Sequence, residues 1–205
     1  MLMQYPLFFE CVESIILQDP LSSVLGAFDN GQIEYTYLDV VKSAGHSCPT
    51  VAGAYLMTWK ALEALYPDST PNRGEIAVDF KEAESDGVAG VIGNVIAQIT
   101  GATDKSGFKG LNGKFARHSL MHFSSDIFSS ARFTRVDTGK SVDVFYDPSS
   151  VLPAATMQPL MQKVMSGSAS EAEAAEFGKL WQERVEKILC HHHDREEVLK
   201  VVEVS

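Results

Sequence analysis

One segment does most to limit what this chain can fold into: PTVAGAYLMTWKALEAL, residues 49 to 65. Proline is favoured at the first helical position, where its missing N–H is no loss. Ala54, Tyr55, Leu62 and Leu65 then fall on one face at helical spacing, and Tyr66-Pro67-Asp68 stops the run. Whatever else the chain builds, it has to build around this helix.

The other elements follow from period and punctuation. GEIAVDF, residues 74 to 80, alternates and predicts a strand; the acidic loop KEAESDG leads into a second helix, VAGVIGNVIAQIT. Gly90 and Gly93 weaken that helix, so close packing against another backbone is the expected reason for them. ARFTRVD and KSVDVFYD around Thr138-Gly139 predict a β-hairpin. ARHSLMHF, residues 116 to 123, fits helix and strand equally well. Before the long helix, residues 6–17 and 35–43 carry apolar residues at helical spacing on either side of an Asp-Asn-Gly turn at 29–31, which predicts two short helices. After the hairpin come a helix near 155–165, a second one from Ser170 through EAEAAEFGKLWQERVEKIL, and a last strand, EVLKVVEV. Helices first, clustered strands, then helices and a strand make an α+β fold, a largely antiparallel sheet packed with helices. The length, 205 residues, fits a single domain spanning 1–205, with an N-terminal helical segment and C-terminal helices around the core.

Composition narrows the partners. A formal charge of −10 opposes binding to nucleic acid or to an anionic membrane surface. No apolar run reaches the ~20 residues that cross a bilayer, and the opening MLMQYPLFFECVESIILQ lacks the basic start of a signal peptide. A cytoplasmic protein is expected. Cys11, Cys48 and Cys190 are odd in number and far apart, which suits free thiols in a reducing compartment.

The chemistry concentrates in Gly45-His46-Ser47-Cys48-Pro49. Pro49 places Cys48 at a helix N-cap, where the dipole and free amides favour the thiolate that binds metals and attacks electrophiles. His46 can turn back to the same point, and imidazole with thiolate is a good donor pair for zinc or another borderline divalent ion. Two donors are half of a tetrahedral shell. The alternatives are a metal-free thiol activated by His46 or by the helix terminus, and a small buried cysteine beside a loop histidine.

Gly45–Pro49 followed by Ala-Tyr-Leu-Met resembles the Gly-His-x-Cys-Pro-Gly signature of FmdE, a family of formylmethanofuran dehydrogenase proteins. The order of strand, acidic loop, helix ending Ile99-Thr100-Gly101-Ala102-Thr103, glycine-rich loop and hairpin agrees with it over most of residues 35–146. The resemblance implies an α+β core, a homodimer and a metal near the His-Cys motif. Thr50 stands where the family has a second glycine, Asn94 lies near the place of an aspartate, and the C-terminal zinc module of some relatives has no counterpart. In the methanogenic enzyme the redox centres belong to other polypeptides, so the resemblance does not make this chain a dehydrogenase.

Further ligands are sought at His118 and His122. As a helical i,i+4 pair both could meet one ion; as strand residues about 13 Å apart, only one could join His46 and Cys48. At least one is expected to complete the site. In the acidic loop, Glu82, Glu84 and Asp86 can serve as ligand or general base, or Asp86 can cap the next helix; Glu84 is the chosen candidate beside Cys48 for a catalytic role. Cys190-His191-His192-His193-Asp194 is rich in donors, yet histidines at a helix end also interact well with its free carbonyls. GFKGLNGK lacks the order of a phosphate-binding loop. The expectation is a zinc or similar divalent-metal protein that binds or acts on a small molecule, or else an accessory that presents a metal or cofactor to a partner redox enzyme.

Overall fold

A computed structural model describes residues 4–204. A 3-10 turn, Leu7–Cys11, leads into β1 (Ile15–Gln18), α1 (Pro20–Leu25), a 3-10 turn at Asp29–Gly31, β2 (Gln32–Tyr35) and α2 (Tyr37–Ala44). Then come α3 (Pro49–Leu65), β3 (Ile76–Phe80), α4 (Ala89–Thr100), β4 (Met121–His122), β5 (Ala131–Arg135) and β6 (Ser141–Tyr146). The chain closes with α5 (Met157–Met165), α6 (Glu171–Glu186), a π-helical turn at Lys187–His191, and β7 (Leu199–Val204). The fold is α+β, with a five-stranded sheet in the order β4-β3-β5-β6-β7; only the short β3–β4 pair is parallel. Among the described residues no helix is long and apolar enough to cross a membrane.

The sheet alternates cleanly. Ile76, Val78 and Phe80 of β3, Ala131 and Phe133 of β5, and Val142 and Val144 of β6 are buried on one face. On this face α3 packs, and its burial is nearly all-round: Val51 through Thr58 are buried without a break. The expectation of one apolar face was too narrow, because neighbours surround the first half of this helix. A helix apolar on all sides is stable only when covered like this.

The expected helix at 6–17 is a correction. Only Leu7–Cys11 turns, residues 12–14 are irregular, and a strand begins at Ile15: Ile15 and Leu17 are buried while Ile16 between them is 44% exposed. Two adjacent β-branched isoleucines, one on each face, suit a pleated strand, which pairs with β2 in a separate ribbon. A buried ion cluster ties this ribbon to the body. Arg117 donates to both carboxylate oxygens of Asp19 at 2.7 and 2.8 Å, and Arg73 adds a 3.2 Å contact. Arg73 also donates to the Gln98 and Ile99 carbonyls, satisfying the end of α4.

Gly90 fits the expected reason, since a Cβ there would lie 2.8 Å from the Glu84 backbone oxygen; Gly93 instead makes room for the Phe123 ring and the Met121 sulfur. Asp86 does not cap α4 with its side chain; Val88 is the N-cap. The hairpin, the Ser170 cap and the last strand lie where the sequence places them, and Glu173 completes a capping box at Ser170.

Candidate functional site

Gly45 ends α2 in the left-handed region, φ +75°, a conformation that favours glycine. The chain then reverses through His46 and Ser47 into Cys48, whose extended backbone makes it the N-cap of α3. Its Sγ accepts the Val51 N–H at 3.4 Å and lies 3.3 Å from His46 Nε2. The other ring nitrogen, Nδ1, is 3.0 Å from the Ala44 carbonyl. A carbonyl only accepts, so Nδ1 carries a proton and Nε2 is the nitrogen turned to the sulfur. The pair is therefore oriented from both ends, by a backbone carbonyl on the imidazole and a helix N–H on the sulfur.

The loop between these two residues is held from three sides. The Ser47 and Tyr37 hydroxyls share a 3.0 Å hydrogen bond. The Ser47 carbonyl accepts from Trp181 Nε1 at 3.0 Å and Gln182 Nε2 at 3.1 Å, so α6 grips the motif from the far end of the sequence. Tyr146 of β6 donates to the Pro49 carbonyl at 2.6 Å, its ring seated where a Cβ on Gly53 would overlap it. Burial raises the pKa values of Tyr37 and Tyr146 well above the ordinary phenol value, so both hydroxyls stay protonated.

His118 and His122 are not brought to this loop. Neither lies in a helix, so the i,i+4 arrangement does not form. His118 sits in a segment bonded to the exit of α4, where Thr103 N–H donates to Arg117 and Ser119 N–H to Asp104. His122, in β4, places Nδ1 3.1 Å from Asp79 Oδ1. Asp79 alternates with the core residues Val78 and Phe80, so His122 faces away from α3, with the sheet between it and Cys48. Among the described residues no three His, Cys, Asp or Glu side chains gather where they could hold one metal ion.

Glu84 is exposed, and of the acidic loop it is Glu82, not Glu84, that lines a cavity. At the C-terminal run, His193 sets its ring 5.6 Å from that of Trp59, and Cys190 is half-buried, its thiol pushed up chiefly by burial. Asn112 and Gly113 both have positive φ between Leu111 and Lys114, which makes the glycine-rich loop a tight hairpin tip.

Two cavities flank the loop. His46 opens onto one of about 510 Å³, walled by Ser43 and Ala44 of α2 and by Asn94, Val95 and Gln98 of α4. Behind Pro49 and Thr50 lies a second, of about 400 Å³, between α3, the start of α4 and the ends of β3 and β6. Tyr37, Tyr146, Trp181 and Gln182 carry no local signature of this role. Only the proline and the His-x-Cys spacing were readable beforehand.

A comparison with curated proteins finds no match. Residues 44–196 match the family model described as FmdE, molybdenum formylmethanofuran dehydrogenase operon. The matched region begins at the residue whose carbonyl orients His46 and runs through the helix that grips Ser47, so it takes in the whole clamp except Tyr37. It also reaches beyond the hairpin, where the resemblance in the sequence stopped. The chain belongs to the FmdE family.

Proposed function

We propose that this chain is a metal-binding member of its family, cytoplasmic and homodimeric, holding a divalent ion at Cys48 and His46 beside a small-molecule site. The observation that carries this reading is the 3.3 Å approach of Sγ to Nε2 with Nδ1 tied to a carbonyl. Zinc–sulfur and zinc–nitrogen bonds at a tetrahedral angle separate the two donor atoms by ~3.5 Å. A ligating histidine almost always gives its second N–H to a carbonyl or carboxylate, as His46 does to Ala44. The residues therefore fit the ion as two adjacent ligands, with zinc the first choice for a thiolate and an imidazole.

The bound ion would supply Lewis-acid chemistry or an activated water. The chain's own part is to hold the two donors. Val51 N–H stabilises negative charge on sulfur, Ala44 fixes the ring, and Ser47, gripped by α6, keeps the loop from opening. The positions that Cys48 and His46 leave open are assigned to water, to the small molecule or to a second copy of the chain. An open, exchangeable site of this kind also suits an accessory that presents its ion or cofactor to a partner redox enzyme.

The same contact favours a second reading, a metal-free thiol paired with His46. Elemental analysis of protein purified without added metal, with Cys190–His193 replaced to remove adventitious capture, separates the two. About one ion per chain, lost in Cys48→Ser and His46→Ala and kept in His118→Ala and His122→Ala, is the expected result. Metal-free protein whose Cys48 alkylates rapidly and indifferently to chelator would overturn the metal reading.

A further inference from the structure

The cavity behind Pro49 differs from the one at His46. Its walls are chiefly apolar: Met57, Phe80, Val88 and Ile92 reach into it, while Phe128 stands at the rim 89% exposed. A phenylalanine left so far in water beside an apolar hollow forgoes the burial that its ring would gain by packing. The volume, about 400 Å³, falls within the range of small-molecule sites.

The polar groups around the cavity narrow the choice of ligand. Ser129 donates to Asp143 and the Tyr146 hydroxyl donates to Pro49, so those two protons are used, while Ser130 accepts the Tyr146 N–H and keeps its own proton to donate to a ligand. Glu82 turns its carboxylate toward Gly87. Lys81 is the one cation lining the cavity, and among the described residues no carboxylate pairs with it within 4.0 Å. An ammonium without a partner at the edge of an apolar hollow is matched by a molecule with an apolar body and an anionic group.

We infer that this cavity binds a small organic anion, its apolar part between α3 and α4 under Phe128 and its charge at Lys81. The ligand then lies against Pro49 and Thr50, next in sequence to the Cys48 thiol. Nothing in this depends on a metal, and the two readings fail separately.

The test uses 8-anilinonaphthalene-1-sulfonate, an apolar ring system with one negative charge, titrated into the full-length protein and followed by its fluorescence. Saturable binding at one site per chain is expected. Ile92→Arg should weaken it at least tenfold, and Phe128→Ser, at an exposed position that leaves the fold intact, severalfold. Lys81→Glu should weaken it about tenfold while leaving the neutral dye Nile red unaffected. His46→Ala should leave the probe bound whether or not it costs the protein an ion. Non-saturable binding, or binding indifferent to Ile92→Arg and Phe128→Ser, would overturn the site. If Phe128→Ser instead breaks a dimer and leaves the probe bound as before, the aromatic belongs to an interface between copies and the inference fails. An equal response of both dyes to Lys81→Glu removes the anionic part of the claim.

Discussion

The helices α3 and α6 have nearly the same length, 17 and 16 residues, and are stabilised in opposite ways. Eleven residues of α3 are buried, from Val51 to Leu65; in α6 only Val185 is. The first is a core helix whose N-cap carries the site. The second relies on a capping box at Ser170 and Glu173, on a Lys163–Glu173 ion pair to α5, and on few contacts with the body. Yet α6 supplies both side-chain donors to the Ser47 carbonyl. Stability and site geometry are therefore separable here: α3 decides whether the protein folds, and α6 decides how firmly the His-Cys loop is held.

This contrast can be broken most severely in α3. Leu56 is fully buried, so Leu56→Ala should destabilise the protein by about 3 kcal/mol in urea unfolding. The partly exposed Leu180→Ala in α6 should cost under about 1 kcal/mol; equal effects would erase the distinction. Gly53→Ala comes next, because its Cβ would overlap the Tyr146 ring; we expect a loss of about 1–3 kcal/mol. Its alkylation rate at Cys48 should also rise, since Tyr146 can no longer reach Pro49.

Trp181→Phe sharpens the second half of the contrast. It removes one N–H donor to Ser47 and keeps the aromatic body, so stability should fall by only about 1 kcal/mol. Alkylation of Cys48 should nevertheless speed up severalfold. A rate unchanged from the parent would mean that α6 does not restrain the loop.

The smallest effect concerns pH. The Lys163 ammonium, helped by the Ser170 N–H, holds the Glu173 carboxyl down to about 2, against an ordinary 4.5. The folded value is the lower one, so the stabilisation is complete above pH 4.5 and fades as pH falls toward about 2. Amide exchange in residues 171–175, corrected for intrinsic rates, should therefore quicken across that interval while α3 stays protected. Uniform loss of protection in both helices would show one cooperative unit instead of two regions of different stability.

Much of the fold was legible because its signals are local. Pro49 and Pro67 bracket α3, Thr138-Gly139 marks the hairpin, and Ser170 announces α6. The failure at residues 6–17 has a definite cause: Phe8, Phe9, Val12 and Ile15 satisfy a helical period, while Ile15 and Leu17 equally satisfy the period of the strand that begins at Ile15. Pairing with β2 decided between the two, and that partner lies outside any local window.

The candidate site divides in the same manner. By itself the sequence determined that Cys48 caps a helix and that His46 stands two residues before it, because capping and spacing are properties of a few consecutive residues. Only the tertiary structure decided which nitrogen meets the sulfur, that α6 closes over Ser47, and that the sheet stands between His122 and Cys48. It also set Lys81 and Phe128 around one cavity. These relations join residues tens of positions apart, and which face of a strand or helix meets which neighbour is fixed by packing the whole core.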